Sequence, residues 1–167
     1  MTNKKELRER LEAFKKASRE LVGNIKDVPA WQVLYGSAIG HKYTGDIDCA
    51  INDMVKCISL TRTKKDLMET TATNLNYLAD LYLINDASDQ AETALQESIE
   101  LSRFRFPLLL ADNLWILAGI QNRKGRYEEA LASAQESLRV CEDQGHSHGV
   151  LQAQRLIETI ETNVGTQ

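Results

Sequence analysis

The sequence predicts an all-α protein whose helices pair into a repeated unit. Three segments align on a single alanine column, at Thr44–Leu60, Asn85–Leu101 and Lys124–Val140. The aligned alanines are Ala50, Ala91 and Ala130, which are almost evenly spaced along the chain. Each is preceded at a constant offset by a second alanine (Ala38, Ala79, Ala118) and, one helical turn earlier, by a leucine (Leu34, Leu75, Leu114). A fixed period with matched small and large residues is typical of stacked helical repeats, in which each unit buries its apolar face on its neighbour.

The composition agrees with a helical globular protein. Hydrophobic residues make up 43% of the 167 residues, and only 2 residues are proline. The net charge of −4 gives no general attraction to nucleic acid or to an anionic membrane. Residues 1–27 hold eight Lys and Arg against five Asp and Glu, which a solvated helix face explains better than a nucleic-acid arm.

The chain also lacks the sequence features of membrane and secreted proteins. It has no run of 18 apolar residues, and its first residues lack the apolar core of a signal peptide. Its three cysteines are odd in number, and Cys49 and Cys57 are too far apart along one predicted helix to form a disulfide. We therefore expect reduced thiols, a cytoplasmic location and no membrane partner.

The predicted elements are an N-terminal helix, three helix pairs and a final helix. Their expected bounds are 4–22, 30–43, 46–61, 66–84, 88–102, 107–123, 127–143 and 148–163. The first helix has Leu7, Leu11, Phe14, Ser18 and Leu21 at alternating spacings of four and three and stops at Gly23-Asn24. Because two heptads are marginal as a coiled coil, a packed N-terminal cap is favoured.

Each helix pair is predicted to share one internal design. A residue that tolerates a positive φ stands in the turn, and these residues are Gly45, Asp86 and Gly125. The second helix then opens at Ile47, Ser88 or Tyr127 and places its alanine three residues later. Small residues at these positions let the two helices approach closely.

The final helix is predicted to cap the repeat, because one side is apolar and the other is polar. The apolar side carries Val150, Ala153, Ile157, Ile160 and Val164. The polar side carries Gln152, Gln154, Arg155, Glu158, Thr159 and Glu161.

The repeat resembles the tetratricopeptide repeat (TPR) family. The clearest copy is Asp112–Leu138, with Leu114, Leu117, Ala118, Gly125, Tyr127, Ala130 and Leu138 at consensus positions. Thr73–Leu101 and Trp31–Leu60 are weaker copies. The units are about 40 residues long and lack the usual closing proline, as in longer TPR variants. The chain length of 167 residues fits a single domain over 1–167. The resemblance covers roughly residues 30–163 and implies a right-handed solenoid of helix pairs at 30–61, 66–102 and 107–143 with a capping helix at 148–163.

In similar proteins the first helices of the pairs line a concave groove. Carried over, this implies a partner-binding surface of Gln32, Tyr35, Lys42, Thr73, Asn76, Asp80, Asp112, Trp115 and Asn122, with Ile39, Leu83 and Gly119 in the same columns. Trp115 and Tyr35 are the expected anchors, unless they fill space between adjacent helices. The amides of Asn76 and Asn122 suit the backbone of an extended peptide. The basic clamp of co-chaperone TPR domains is not expected, because Tyr35, Ile39, Asn76 and Asp80 depart from its pattern.

Three further features have a functional and a structural interpretation. Cys141, His146 and His148 around the Gly145–Gly149 loop suggest zinc ligands, but their order matches no standard site, so we interpret them as turn residues. The alternating Arg103–Phe106 segment suggests contact with an acidic partner or nucleic acid. We favour a linker in which Pro107 starts a helix, one Phe packs beneath it and the arginines face water. His41 lies at an interior helix position and is expected to be structural.

No nucleotide-binding loop, metalloprotease motif or serine nucleophile turn is present, so we predict neither an enzyme nor a cofactor or metal. The predicted function is a protein-interaction module that binds a peptide or protein segment in its groove. The alternative is a structural subunit that assembles with itself or within a larger complex through helix faces outside the groove. A third and weaker hypothesis is a nucleic-acid or membrane accessory that uses the basic N-terminal helix.

Overall fold

The computed structural model describes residues 8, 9, 12, 13 and 28–165. Residues 28–165 form seven α-helices and one 3-10 turn at Lys65–Leu67, and no strand occurs among the described residues. The helices are α1 (Ala30–Thr44), α2 (Ile47–Thr61), α3 (Met68–Ile84), α4 (Ser88–Ser102), α5 (Pro107–Arg123), α6 (Tyr127–Asp143) and α7 (Ser147–Gly165). The prediction of an all-α protein is confirmed. Across the described part of the chain, none of the helices has the length and apolar character needed to cross a bilayer.

The chain divides into two compact units, Met1–Lys65 and Asp66–Gln167, here called unit 1 and unit 2. Unit 1 contains the pair α1–α2, and unit 2 contains the pairs α3–α4 and α5–α6 together with α7. The predicted N-terminal helix at 4–22 lies outside the described residues, apart from residues 8, 9, 12 and 13, which are helical. The helix predicted at 66–84 starts instead with the 3-10 turn, and the last helix is longer than predicted.

The turns within the helix pairs have the backbone conformation that their sequences predict. Gly45 has φ of 78°, Gly125 has φ of 72°, and Asp86, in the same column, has φ of 56°. Asp86 is the only non-glycine residue with positive φ in the described ranges, and aspartate tolerates this region better than most residues do. Each left-handed residue ends a first helix and lets the chain reverse within two residues.

The alanine columns form the contact between the helices of each pair. Ala38 and Ala50 are completely buried in unit 1, and the matching residues of unit 2 are equally buried (Ala79, Ala91, Ala118 and Ala130). In the third pair, Ala118 packs in one cluster with Ala130, Ala134 and Ile160. The alanines are therefore buried in all three pairs, as close approach of the two helices requires, and the third pair shows them packed in one cluster. Leu34 is only half-buried, whereas its column partners Leu75 and Leu114 are buried.

A side-chain hydrogen bond between the two helices recurs in every pair. Ser98 Oγ donates to the backbone carbonyl of Ala72 at 2.7 Å, and Ser137 Oγ donates to that of Ala111 at 2.8 Å. In unit 1, Cys57 Sγ takes the same position and contacts the carbonyl oxygen of Trp31 at 3.1 Å. Donor and acceptor are 26 residues apart in each case. The three pairs are thus alike in their polar contacts as well as in their apolar packing.

Helix α7 packs on the other helices of unit 2 through most of its predicted apolar side. Ala153 and Ile160 are completely buried, and Ile157 packs against the cluster around Ala118. The prediction is wrong at Val164, which is exposed near the end of the helix. It is also wrong at Gln152, which was predicted on the solvent-exposed polar side and is half-buried.

Candidate binding surface

In unit 2 the first helices of the pairs contact one another through amide side chains. Asn76 Nδ2 on α3 donates to Asn113 Oδ1 on α5 at 2.7 Å, and Asn163 Nδ2 on α7 donates to Asn122 Oδ1 on α5 at 3.1 Å. Asn113 is completely buried, and its Nδ2 also donates to Ser98 Oγ on α4 at 2.8 Å. These contacts place α5 between α3 and α7.

Helices α3 and α5 carry the six site residues that were predicted in unit 2. We call these residues together the first-helix face, and they are Thr73, Asn76, Asp80, Asp112, Trp115 and Asn122. Thr73, Asp112 and Trp115 are exposed, whereas Asn76, Asp80 and Asn122 are half-buried. Asn76 and Asn122, predicted to bond a peptide backbone, each bond a side chain of a neighbouring helix.

Trp115 is the prominent apolar group of this face. Its exposed fraction is 38%, although Leu114 beside it and Ala118 three residues later are buried. Asp112, Trp115 and Gly119 are separated by three and four residues, so they follow one stripe of α5. A Cβ built on Gly119 would have no atom outside its own neighbourhood within 4 Å. The stripe therefore has a large aromatic ring next to an open position.

The carboxyl group of Asp112 has no Lys or Arg partner among the described residues. Partial removal from water raises the pKa of Asp112, and the nearby His146 imidazole works in the opposite direction. Asp112 therefore gives the N-terminal end of the stripe a negative charge that no described Lys or Arg neutralises.

The predicted residues of unit 1 lie on α1. Gln32 is exposed, and Tyr35 and Lys42 are half-buried and engaged in interactions of their own. Their role as part of a binding surface stays a prediction. The most exposed aromatic residue of α1 is Tyr43, which was not among the predicted site residues.

His41 belongs to a polar cluster between α1 and α2. Its Nε2 lies 3.8 Å from Asp53 Oδ2, which also accepts a hydrogen bond of 2.7 Å from Ser37 Oγ. The aligned pair in unit 2 is Gln121 and Ser133, whose side chains share a hydrogen bond of 2.8 Å. Because the same two columns connect the two helices in both units, this position is suited to holding a helix pair together.

A network of charged side chains joins the α3–α4 pair to the turn between α5 and α6. Lys124 Nζ lies 2.6 Å from Asp89 Oδ1 and 2.8 Å from Glu92 Oε2, and Arg126 Nη2 contacts both oxygens of Glu92 at 2.6 Å. Hydrogen bonding to Lys124 lowers the pKa of Asp89. Burial acts to raise the pKa of Glu92, but hydrogen bonds from Arg126 and Lys124 outweigh it, so this pKa is also lowered.

We expect Glu92→Gln to lower the free energy of unfolding at pH 7 by up to about 1 kcal/mol, since two cations lose their shared partner. The lowered folded-state pKa means that the carboxylate stabilises the fold above the pKa of the unfolded chain, about 4.3. This contribution disappears as the pH falls through the folded-state pKa, so the variant and the wild type should converge in acid. Urea unfolding at pH 7 and at about pH 3 measures this, with the exposed Glu128→Gln as control. A gap that is equally wide at both pH values would contradict the ionic explanation.

The histidine-rich loop differs from its prediction at Cys141 and His148, and His148 lies in the first turn of α7 instead of in the turn. Cys141 is buried in the last turn of α6, so its interpretation as a turn residue is wrong. Burial and the negative charge of Asp112 raise the pKa of its thiol. A Cβ at Gly149 would lie 2.5 Å from Cys141 Sγ and 2.6 Å from His146 Nδ1, so any larger residue would have to displace these two side chains. No group of three potential metal ligands occurs in the described ranges.

We expect a zinc chelator to leave the melting temperature unchanged. The Cys141 thiol is kept protonated by its surroundings, whereas zinc binds the thiolate. Differential scanning fluorimetry with and without chelator measures the effect, and added zinc serves as the reverse control. A fall in melting temperature that zinc restores would instead identify the loop as a metal site.

The linker between α4 and α5 exposes one of its two phenylalanines. Phe106 is half-buried before Pro107, and Arg103 and Arg105 face water, as the linker interpretation predicts. Phe104 is 92% exposed and borders a hollow of about 310 Å³. Arg103 in this hollow is paired with Glu136 at 2.8 Å. This second apolar group lies apart from the first-helix face and was not predicted as a site.

The buried Asn113 is the residue of this region that the sequence pattern did not identify. Asn74 is buried in the same column of the second pair, and this matched asparagine column was the available signal. Neither the protein-family models nor the curated proteins compared with this sequence match it. The interpretation of the first-helix face therefore depends on its own residues.

Proposed function

We propose that this protein is an interaction module of the TPR type, in which the helix pairs stack as a solenoid and the first-helix face binds a peptide or protein segment. The single observation that carries the proposal is the exposure of Trp115 on α5. Partly exposed aromatic residues beside a preorganised backbone are the usual anchors of protein interfaces. Helices that are already packed present such an anchor with little ordering cost on binding.

The contacts behind the face support the same function. Asn76, Asn113 and Asn122 connect α3, α5 and α7 side by side, so the positions of side chains along the face are determined by hydrogen bonds. A rigid surface of this kind favours a partner segment whose shape already fits it, because the face changes little on binding. A cytoplasmic location belongs to this proposal, because it would keep Cys49, Cys57 and Cys141 reduced as free thiols.

Replacement of Trp115 tests the proposal. Wild-type protein and Trp115→Ala serve as parallel baits in a lysate of the native cell, and proteins captured by the wild type alone are identified by mass spectrometry. Calorimetry with the purified partner should then show binding that is weaker by at least about 1–2 kcal/mol in the variant. The circular dichroism spectrum should stay helical, because Trp115 is partly exposed.

Phe104→Ala is the matched control, since it also removes an exposed aromatic residue of unit 2. It should bind the partner as the wild type does. If Trp115→Ala binds at full strength and Phe104→Ala does not, the partner uses the other surface. Unfolding of Trp115→Ala would identify Trp115 as a core residue and remove the best anchor of the face.

A structural or assembly subunit is the second candidate function, and the exposure of Phe104 beside a hollow favours it. In this case a second copy or a larger complex would cover the α4–α5 linker. Sedimentation equilibrium of the wild type and Phe104→Ala distinguishes self-assembly. A concentration-dependent oligomer that Phe104→Ala dissociates would support this candidate over the first.

A further inference from the structure

The two units carry opposite charge. Unit 2 holds seven Lys and Arg against sixteen Asp and Glu, a net charge of −9, whereas unit 1 holds thirteen against eight, a net charge of +5. The overall net charge of −4 conceals this difference. A surface of unit 2 therefore attracts cations and repels acidic partners over distances of about a Debye length.

The middle parts of the first helices of unit 2, α3 and α5, also carry acidic residues and no basic ones. Helix α3 contains Glu69 and Asp80 and no Lys or Arg, and the only basic residue of α5 is Arg123 at its last position. The basic residues of the linker between α4 and α5 (Arg103 and Arg105) and of the turn between α5 and α6 (Lys124 and Arg126) lie at the ends of helices. Arg103, Lys124 and Arg126 are also paired there with carboxylates.

The middle of α5 combines three properties that suit one kind of side chain. Trp115 offers an exposed indole, Asp112 one turn before it offers a carboxylate that pairs with no described Lys or Arg, and Gly119 one turn after it leaves space. Glycine inside a helix costs about 0.5–1 kcal/mol relative to alanine. No packing contact inside the protein explains Gly119, unlike Gly149.

We propose that the first-helix face of unit 2 binds a basic segment of a partner protein, with a Lys or Arg side chain placed on the Trp115 indole beside Asp112 and an adjacent side chain in the space at Gly119. A cation over an indole ring is attracted by its quadrupole, and the neighbouring carboxylate adds a charge-assisted hydrogen bond. The inference rests on the proposed function and specifies the chemistry of the partner.

Labelled peptide pools of matched composition test the charge preference. Three pools of about twelve residues have Lys and Arg, Gln or Glu at alternate positions, with Ala, Leu, Ser and Tyr mixed at the others. Fluorescence anisotropy with the full chain should give an affinity for the basic pool at least about tenfold above the Gln pool, with the Glu pool weakest. Higher salt should reduce this advantage.

Variants locate the cation on the face. Asp112→Asn should weaken binding of the basic pool about five- to tenfold, and Trp115→Ala and Gly119→Leu each at least about tenfold. The matched control is Asp143→Asn, which changes the charge of unit 2 by the same amount at the hollow beside Phe104. It should reduce the affinity less than twofold. Unchanged helical spectra and melting temperatures show that the variants are folded.

The results separate this inference from the proposed function. If the Gln or Glu pool binds as well as the basic pool and Trp115→Ala abolishes both, the cation preference is wrong and the proposed binding function of the first-helix face stands. If Asp143→Asn weakens binding as much as Asp112→Asn, only the net charge acts and the site is wrong. If Trp115→Ala changes nothing for any pool, both proposals fail. A dimer of the wild type that Trp115→Ala dissociates would make a second copy, and not a partner protein, the occupant.

Discussion

Ala118→Leu should lower the free energy of unfolding by about 1–3 kcal/mol. Ala118 is completely buried and packs against Ala130, Ala134 and Ile160, so α5, α6 and α7 meet at this point. Three added carbon atoms have no space there, and they would force the helices apart or the new side chain into an unfavourable rotamer. Urea unfolding followed by circular dichroism measures the loss.

Gly119→Leu is the matched control because it adds a leucine one residue further along the same helix. A Cβ at this position has no contact within 4 Å, and leucine forms helix more readily than glycine. This variant should therefore be at least as stable as the wild type. Equal stability of Ala118→Leu and the wild type would mean that the helices are not closely packed at the alanine column.

Asn113→Ala should lower the free energy of unfolding by about 2–3 kcal/mol. The buried amide accepts a hydrogen bond from Asn76 and donates one to Ser98. In the variant both hydrogen bonds are lost. Ser98 is completely buried, so water cannot easily replace the lost donor. The truncated side chain also leaves a small cavity between α3, α4 and α5.

Asn122→Ala is the comparison for this prediction, because its half-buried amide accepts one hydrogen bond, from Asn163. Asn122→Ala should lower the free energy of unfolding by only about 0.5–1.5 kcal/mol. A double-mutant cycle with Ser98→Ala then measures the coupling between Ser98 and Asn113. If the two losses add without coupling, the hydrogen bond between them does not contribute and the prediction for Asn113 is wrong in its cause.

The repeat pattern of the sequence was sufficient to predict the helices and most of their ends. The residue in each turn with positive φ, the start of each second helix and the six buried alanines all agree with the structure. These features depend on neighbouring residues and on one small side chain at each contact. They are local properties, and a threefold repetition makes them visible in a single sequence.

The candidate site was predictable only in outline. The register of Trp115 with Leu114 and Ala118 predicted that its side chain points away from the core, but its exposed fraction depends on how closely other helices cover it. The exposure of Phe104 and the burial of Cys141 were not predicted, since both depend on packing between elements. Val164 shows the same limit, because its helix extends past the core that would cover it.

The amide contacts illustrate why the tertiary structure was needed. Asn76 and Asn122 fit a peptide-binding pattern in the sequence, and they bond Asn113 and Asn163 in the structure. An asparagine carries donors and acceptors in every setting, so its residue type does not distinguish a ligand from a neighbouring helix.

The sequence by itself determined the all-α class, the paired helices, their turns and the alanine contacts within each pair. Only the tertiary structure decided which side chains between pairs are buried, which amides are engaged and which aromatic residues reach the surface. The physical reason is the distance along the sequence between the residues that determine each property. Helix formation and close approach depend on the local periodicity of the chain, whereas exposure and hydrogen bonding between pairs depend on residues distant in sequence that meet only after folding.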